Sequence, residues 1–231
     1  MAKEDLKVEI LSEEFTEYDL SFKIIVVGDS GVGKSCLTMR GTKNHFEDFY
    51  SPTVGFEFFT FNIRINDKNI KLQIWDTCGQ EAYRSLITSF YRNSSLAIVA
   101  YAINNQNSFN HIEAWLNEIK AQANPETKIF LIGTKVDLDN ERTIQLEDGE
   151  KLAKDNGFNY FIETSAKTGF NAQSVFIEAA KELYKSHLEY KDRASRPGSI
   201  NTIPYQQEIN NNIFLEEEED NNINRKKKGC C

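Results

Sequence analysis

The eight residues Gly28-Asp29-Ser30-Gly31-Val32-Gly33-Lys34-Ser35 follow the apolar run 22–27 and fit the pattern G-x-x-x-x-G-K-[ST]. That spacing suits the chemistry of phosphate binding. Glycines let successive backbone N–H groups turn inward and approach phosphate oxygens without a Cβ in the way. Asp29, Ser30, Gly31, Val32, Gly33 and the following Cys36 form the cradle, from which Lys34 reaches the β- and γ-phosphates. The Ser35 hydroxyl is placed to ligate Mg²⁺. A helix starting near Lys34 would add its positive N-terminal end.

Three further segments fall at the ends of apolar runs. Trp75-Asp76-Thr77-Cys78-Gly79 reads D-x-x-G. A carboxylate at Asp76 can hold Mg²⁺ through water, and Gly79 lets its N–H reach a γ-phosphate. In Gly133-Thr134-Lys135-Val136-Asp137 the carboxylate can accept two hydrogen bonds, from guanine N1–H and the 2-amino group. Adenine offers neither donor, so leaving Asp137 unpaired would disfavour it by roughly several kcal/mol. Thr164-Ser165-Ala166-Lys167 ends the last apolar run, where a backbone N–H could read the guanine carbonyl.

The elements that must position these groups alternate between strand and helix signals. Residues 22–27, 96–102 and 128–133 are continuous apolar strands, and 160–163 is a last short one. The alternating run 56–65 meets 70–75 across Asn66-Asp67-Lys68-Asn69 as a hairpin. Helices are expected at 34–42, 146–155 and 172–189, and around Phe109, Ile112, Leu116 and Ile119. Val175, Phe176, Ala179, Ala180, Leu183 and Tyr184 make one apolar stripe, which with Trp115 reads as core. The expected fold is α/β: a mostly parallel six-stranded sheet with one antiparallel edge strand and helices on both faces. Ligands then bind at the carboxyl ends of the strands.

Composition narrows the class. A 231-residue chain with 40% hydrophobic and 27% charged residues suits one core domain with tails. A net charge of −8 argues against a nucleic-acid partner. No run nears the ~18 apolar residues of a membrane span, and no secretory signal or N-myristoylation glycine is expected at the start. Four cysteines without metal-ligand spacing suit a reducing compartment. Residues 1–19 read as an acidic, solvated arm that Leu6, Ile10 and Leu11 could dock weakly, residues 20–190 as the folded domain, and 191–231 as a disordered tail.

With these motifs in order over residues 20–190, the chain closely resembles the Ras superfamily of small GTPases, with the G domain of P-loop GTPases. Its Rab branch is suggested by Val54-Gly55-Phe56-Glu57-Phe58, Lys71-Leu72-Gln73-Ile74-Trp75-Asp76-Thr77, Gly79-Gln80-Glu81-Ala82-Tyr83-Arg84-Ser85-Leu86 and Phe90-Tyr91-Arg92. The resemblance implies that Thr53 ligates Mg²⁺ only with GTP bound, that Gly79 senses the γ-phosphate and that Gln80 orients the attacking water. It implies that Phe46 packs on the guanine and that Lys135 covers the other side. Tyr50 joins the nucleotide set; with Phe58, Trp75 and Tyr91 it falls in or near the surfaces effectors read, core packing being a rival role for the aromatics.

No arginine of the chain is placed as a finger, and Arg84 and Arg92 match structural positions. The implied turnover of GTP to GDP is therefore slow until an activating protein supplies one, with ~10³–10⁵-fold acceleration. The implied partners are GTP and GDP, a GTPase-activating protein, a guanine-nucleotide exchange factor, a GDP-dissociation inhibitor and effectors of vesicle trafficking.

Gly229-Cys230-Cys231 after Arg225-Lys226-Lys227-Lys228 resembles the Rab di-cysteine terminus, which implies geranylgeranylation of Cys230 and Cys231. Two such chains give stable anchoring at ~0.8 kcal/mol per buried CH₂. The implied location is the cytoplasmic face of intracellular membranes, cycling with cytosol. Two positions depart from the family. Cys78 stands where alanine is usual, and Thr134 where most members carry asparagine, though the Rho branch commonly has threonine. Two rivals remain: a P-loop nucleotide kinase, which has no need of Asp137, and a hydrolysis-impaired, membrane-tethered interaction module held in one nucleotide state by Cys78. His45, His111 and His187 show no partnering pattern and carry no catalytic role.

Overall fold

The computed structural model describes residues 6–48, 53, 55–78 and 90–195. The chain divides into two units, 1–188 and 189–231. Seven strands are described: β1 Val8–Ile10, β2 Leu20–Val27, β3 Phe56–Ile65, β4 Lys68–Thr77, β5 Leu96–Ala102, β6 Lys128–Thr134 and β7 Tyr160–Glu163. The described helices are α1 Lys34–Lys43, α2 Gln106–Asn110, α3 Ile112–Gln122, α4 Leu146–Asn156 and α5 Ala172–Ala194, with a 3₁₀ turn at Val136–Glu141.

The strands lie in the order β1-β3-β4-β2-β5-β6-β7. β2 runs parallel to both β4 and β5, and β6 and β7 continue that direction. β3 is antiparallel to β4. Because the connection out of β2 leads to the β3–β4 side and the one out of β4 crosses to β5 on the other side, a crevice opens at the carboxyl end of β2. The period of two along β2 divides the core. Phe22, Ile24 and Val26 join the cluster under α1 and α5, while Ile25 and Val27 join the one under α3 and α4. At Gly41 the helices touch so closely that a Cβ would sit 2.4 Å from the Phe176 ring.

The sheet has seven strands rather than the expected six, because β1 adds a strand beyond β3 at the antiparallel edge. Residues 8–10 of the acidic arm pair antiparallel with β3, with Val8 opposite Ile65 and Ile10 opposite Ile63. Leu11 N–H donates to the Asn62 carbonyl (2.9 Å), and the Asn62 amide donates to the Ser12 carbonyl (2.9 Å). Acidic residues of the arm meet basic partners, Glu9 on Arg64 (2.8 Å) and Asp19 on Lys68 (3.2 Å), while Leu6 and Val8 pack against the core. An exposed strand edge invites unwanted pairing, and the arm covers this part of it. The β3–β4 turn is also tighter than expected, with Ile65 opposite Lys68 and Asn66 at φ 55.

Candidate nucleotide site

The carboxyl ends of β2, β4, β6 and β7 surround a cavity of about 440 Å³. One end is built by the loop between β2 and α1. Gly28 holds φ 138, and a Cβ there would lie 2.2 Å from the Ala100 carbonyl oxygen. Only glycine fits that position, and it turns the chain toward α1. Gly33, at φ 97, then starts the helix without a side-chain cap, leaving its first N–H groups for a ligand. Lys34 folds back over the loop, its Nζ donating to the Gly28 and Asp29 carbonyls at 2.8 Å each.

Burial lowers the Lys34 pKa to about 8, against the opposing pull of Asp76 and Asp29. Asp76, at the end of β4, is fully buried, and burial pushes its carboxyl up to about 7 despite the Ser35 hydrogen bond and Lys34. Its Oδ2 accepts from Ser35 Oγ, which lies 2.7 Å from Thr53 Oγ1. Its Oδ1 is buried with no hydrogen-bond partner among the described residues. Two hydroxyls and a carboxylate with an unused oxygen form a hard-oxygen donor set, which fits Mg²⁺ and its waters.

The other end is made by loops after β6 and β7. The Thr134 hydroxyl lies 2.5 Å from the Val32 carbonyl and 2.9 Å from that of Tyr101, and donates its single proton between them. Lys135, at φ 66, lays its stem across the cavity and donates from Nζ to the Gly31 carbonyl (2.6 Å). Ser165 Oγ donates to Asp137 Oδ1 (2.6 Å), fixing the carboxylate that would read guanine. Arg142 grips Glu163 with two hydrogen bonds of 2.7 and 2.8 Å, tying the 3₁₀ turn carrying Asp137 to the end of β7.

Of the residues singled out in the sequence, Ser30, Gly31, Gly33, Lys34, Ser35, Cys36 and Thr53 line the phosphate end. Phe46, Thr134, Lys135, Asp137, Ala166 and Lys167 line the base end. Asp29, Val32, Asp76 and Ser165 stand behind that lining and act through the bonds described above, or through their backbone. Tyr50, Gly79, Gln80, Cys230 and Cys231 lie outside the described residues.

Cys78 is 2% exposed, off the cavity lining, with its N–H on the Gly55 carbonyl (3.0 Å). Two other readings change. The Asp29 carboxylate turns away from the cavity and accepts from Trp115 Nε1 (2.9 Å), while His111 Nδ1 lies 2.7 Å from its other oxygen. Trp115 is therefore more than core, and His111 does have a partner. Glu47 and Asp48, which the motifs gave no reason to notice, also line the cavity.

Beside the site lies an aromatic patch. Trp75 packs on Phe56, Phe58 and Phe90 with ring centroids 5.0–5.3 Å apart, and Lys23 Nζ sits 5.5 Å from both the Trp75 and Phe90 rings. Phe56 and Phe58 are each 49% exposed, whereas Tyr91 is fully buried. Core packing claims Tyr91, and Phe90 takes its place at the surface cluster.

A phosphate cradle at the switch point of this sheet, facing a fixed carboxylate for the base, defines the P-loop GTPase fold. The Ras family model matches residues 23–185, and the chain belongs to that family. It is accordingly a small GTPase, a protein that binds guanine nucleotide and hydrolyses GTP.

Proposed function

We propose that this small GTPase is of the Rab branch: a GTP/GDP switch, prenylated at Cys230 and Cys231, that recruits effectors to intracellular membranes in vesicle trafficking. The observation that carries the reading is the aromatic patch in which exposed Phe56 and Phe58 pack on half-buried Trp75 and Phe90. An apolar patch of this kind marks a protein-binding surface, and a γ-phosphate that orders neighbouring segments would change what it offers a partner. Phosphoryl transfer to water needs positioning and charge neutralisation: Lys34 would supply positive charge, Ser35, Thr53 and Asp76 would hold a Mg²⁺ that adds more, and Gln80 would aim the water. Turnover in this reading is slow without an activating protein, and exchange factor and GDP-dissociation inhibitor complete the cycle.

The buried, off-cavity position of Cys78 supports a tolerated small residue rather than a block on hydrolysis. Single-turnover GTP hydrolysis by Cys78→Ala should match the parent protein; a faster variant would favour the module held in one state. The branch and anchor are tested together in cells. The Cys230→Ser/Cys231→Ser double variant should become cytosolic, and unchanged membrane association would rule the anchor out.

A further inference from the structure

Arg40, on the last turn of α1, meets the base end of the site from outside the cavity. Its Nε donates to the Ala166 carbonyl (2.7 Å) and its Nη2 to the Lys167 carbonyl (2.8 Å). Its Nη1 lies 3.2 Å from both the backbone and side-chain oxygens of Asn44, the left-handed residue that closes α1. The guanidinium carbon is 5.9 Å from the centre of the Phe46 ring. Ala166, Lys167 and Phe46 all line the cavity, and Arg40 does not. One planar fork thus joins two consecutive carbonyls of the base loop, the end of the phosphate-binding helix and the aromatic beside them. Lysine could not reproduce this, because an ammonium is a point charge without a fixed fork.

We propose that Arg40 is a positioning residue for base recognition: it fixes the Ala166–Lys167 peptide so that this loop reads the 6-position of guanine. The inference rests on the guanine site described above and adds a residue whose contribution is selectivity as well as retention. The rest of the loop is tied through Ser165, Thr168, Gly169 and Asn171, whose bonds leave the Ala166 and Lys167 carbonyls to Arg40. Holding its two carbonyls from α1 couples the base loop to the helix that carries Lys34 and Ser35.

The test compares release of GDP with release of the diphosphate of 6-thioguanosine, which keeps the N1–H and 2-amino group that Asp137 reads and replaces the 6-carbonyl oxygen with a weaker acceptor, sulfur. The parent protein should release the analogue faster. In Arg40→Gln and Arg40→Lys the GDP rate should rise by about tenfold while the analogue rate rises much less, so the preference shrinks. Thermal unfolding in excess GDP confirms that both variants fold. Equal acceleration of both nucleotides, no acceleration, or full rescue by lysine would each overturn the proposal. A parent without that preference would overturn it too, and if the parent retains neither nucleotide, the guanine reading fails, and not merely the role of Arg40.

Discussion

The two ends of the cavity are built on opposite principles. At the phosphate end, buried charges lack full compensation: Lys34 is lowered to about 8, Asp76 is raised to about 7 and its Oδ1 has no described partner. At the base end, the main groups already have partners: Asp137 on Ser165, Thr134 on Val32 and Tyr101, Glu163 on Arg142, and Ala166 on Arg40. Buried unpaired charge is expensive, so the phosphate end is completed by the ligand, while the base end is prepared in advance. Charge retains the nucleotide; fixed hydrogen-bond geometry chooses which nucleotide.

The largest effect should come from the phosphate end. Lys34→Met removes a buried cation that phosphate would pair with, and should cost about 3–5 kcal/mol of GDP affinity. The nucleotide-free protein should unfold no more easily than the parent, because an uncompensated charge goes with the side chain. Titration with fluorescent GDP and thermal unfolding without nucleotide measure the two halves. A large loss of stability in the nucleotide-free variant would break the contrast.

Asp137→Asn acts at the prepared end and should weaken GDP by about 2–4 kcal/mol, since it loses an acceptor for two donors. Affinity for free inorganic pyrophosphate, which has no base, should not change. Competition binding with both ligands checks it.

A smaller change is expected from Trp115→Phe, which keeps the packing but deletes the indole donor to Asp29. Asp29 also supplies a carbonyl to Lys34, so loosening it should speed GDP release by about 3–10-fold, near 1 kcal/mol. Stopped-flow release kinetics measure it, and an unchanged rate would detach α3 from the phosphate loop.

The pH response bears on stability rather than on nucleotide retention. Lys23 and Lys34 both have pKa values lowered by burial to about 8, below the unfolded 10.5. Above pH 8 the unfolded chain therefore binds more protons than the folded one, and stability rises with pH. Without nucleotide, the unfolding temperature should climb from about pH 8 to about pH 9. With GDP bound, phosphate holds Lys34 charged and the climb should be shallower. Parallel slopes would contradict that role for Lys34.

How much of this was legible in the sequence depends on distance along the chain. The phosphate loop, the Thr134–Asp137 and Thr164–Lys167 segments and the strands that carry them are local patterns, and each could be placed from its own residues. Val8–Ile10 was harder: Leu6, Val8 and Ile10 alternate with Lys7 and Glu9, but the run is short and set among acids, and what makes it a strand is the partner edge of β3 with Asn62, Arg64 and Asn66. Arg40 acts across 126 positions and Trp115 across 86, so neither declares itself in its own segment. The same limit left Tyr91 open between an effector surface and the core; Tyr91 is sealed in the core, and its neighbour Phe90 joins the aromatic cluster.

The central claim is that ligand phosphates complete an end left short of charge, while the opposite end admits guanine alone. It is tested most directly by denaturing the purified protein and identifying the released nucleotide by chromatography. Close to one GDP or GTP per chain is the expected result, retained through purification because the empty site is costly. An adenine nucleotide in its place, or a stable protein that carries none and takes up none when GDP and Mg²⁺ are supplied, would contradict it.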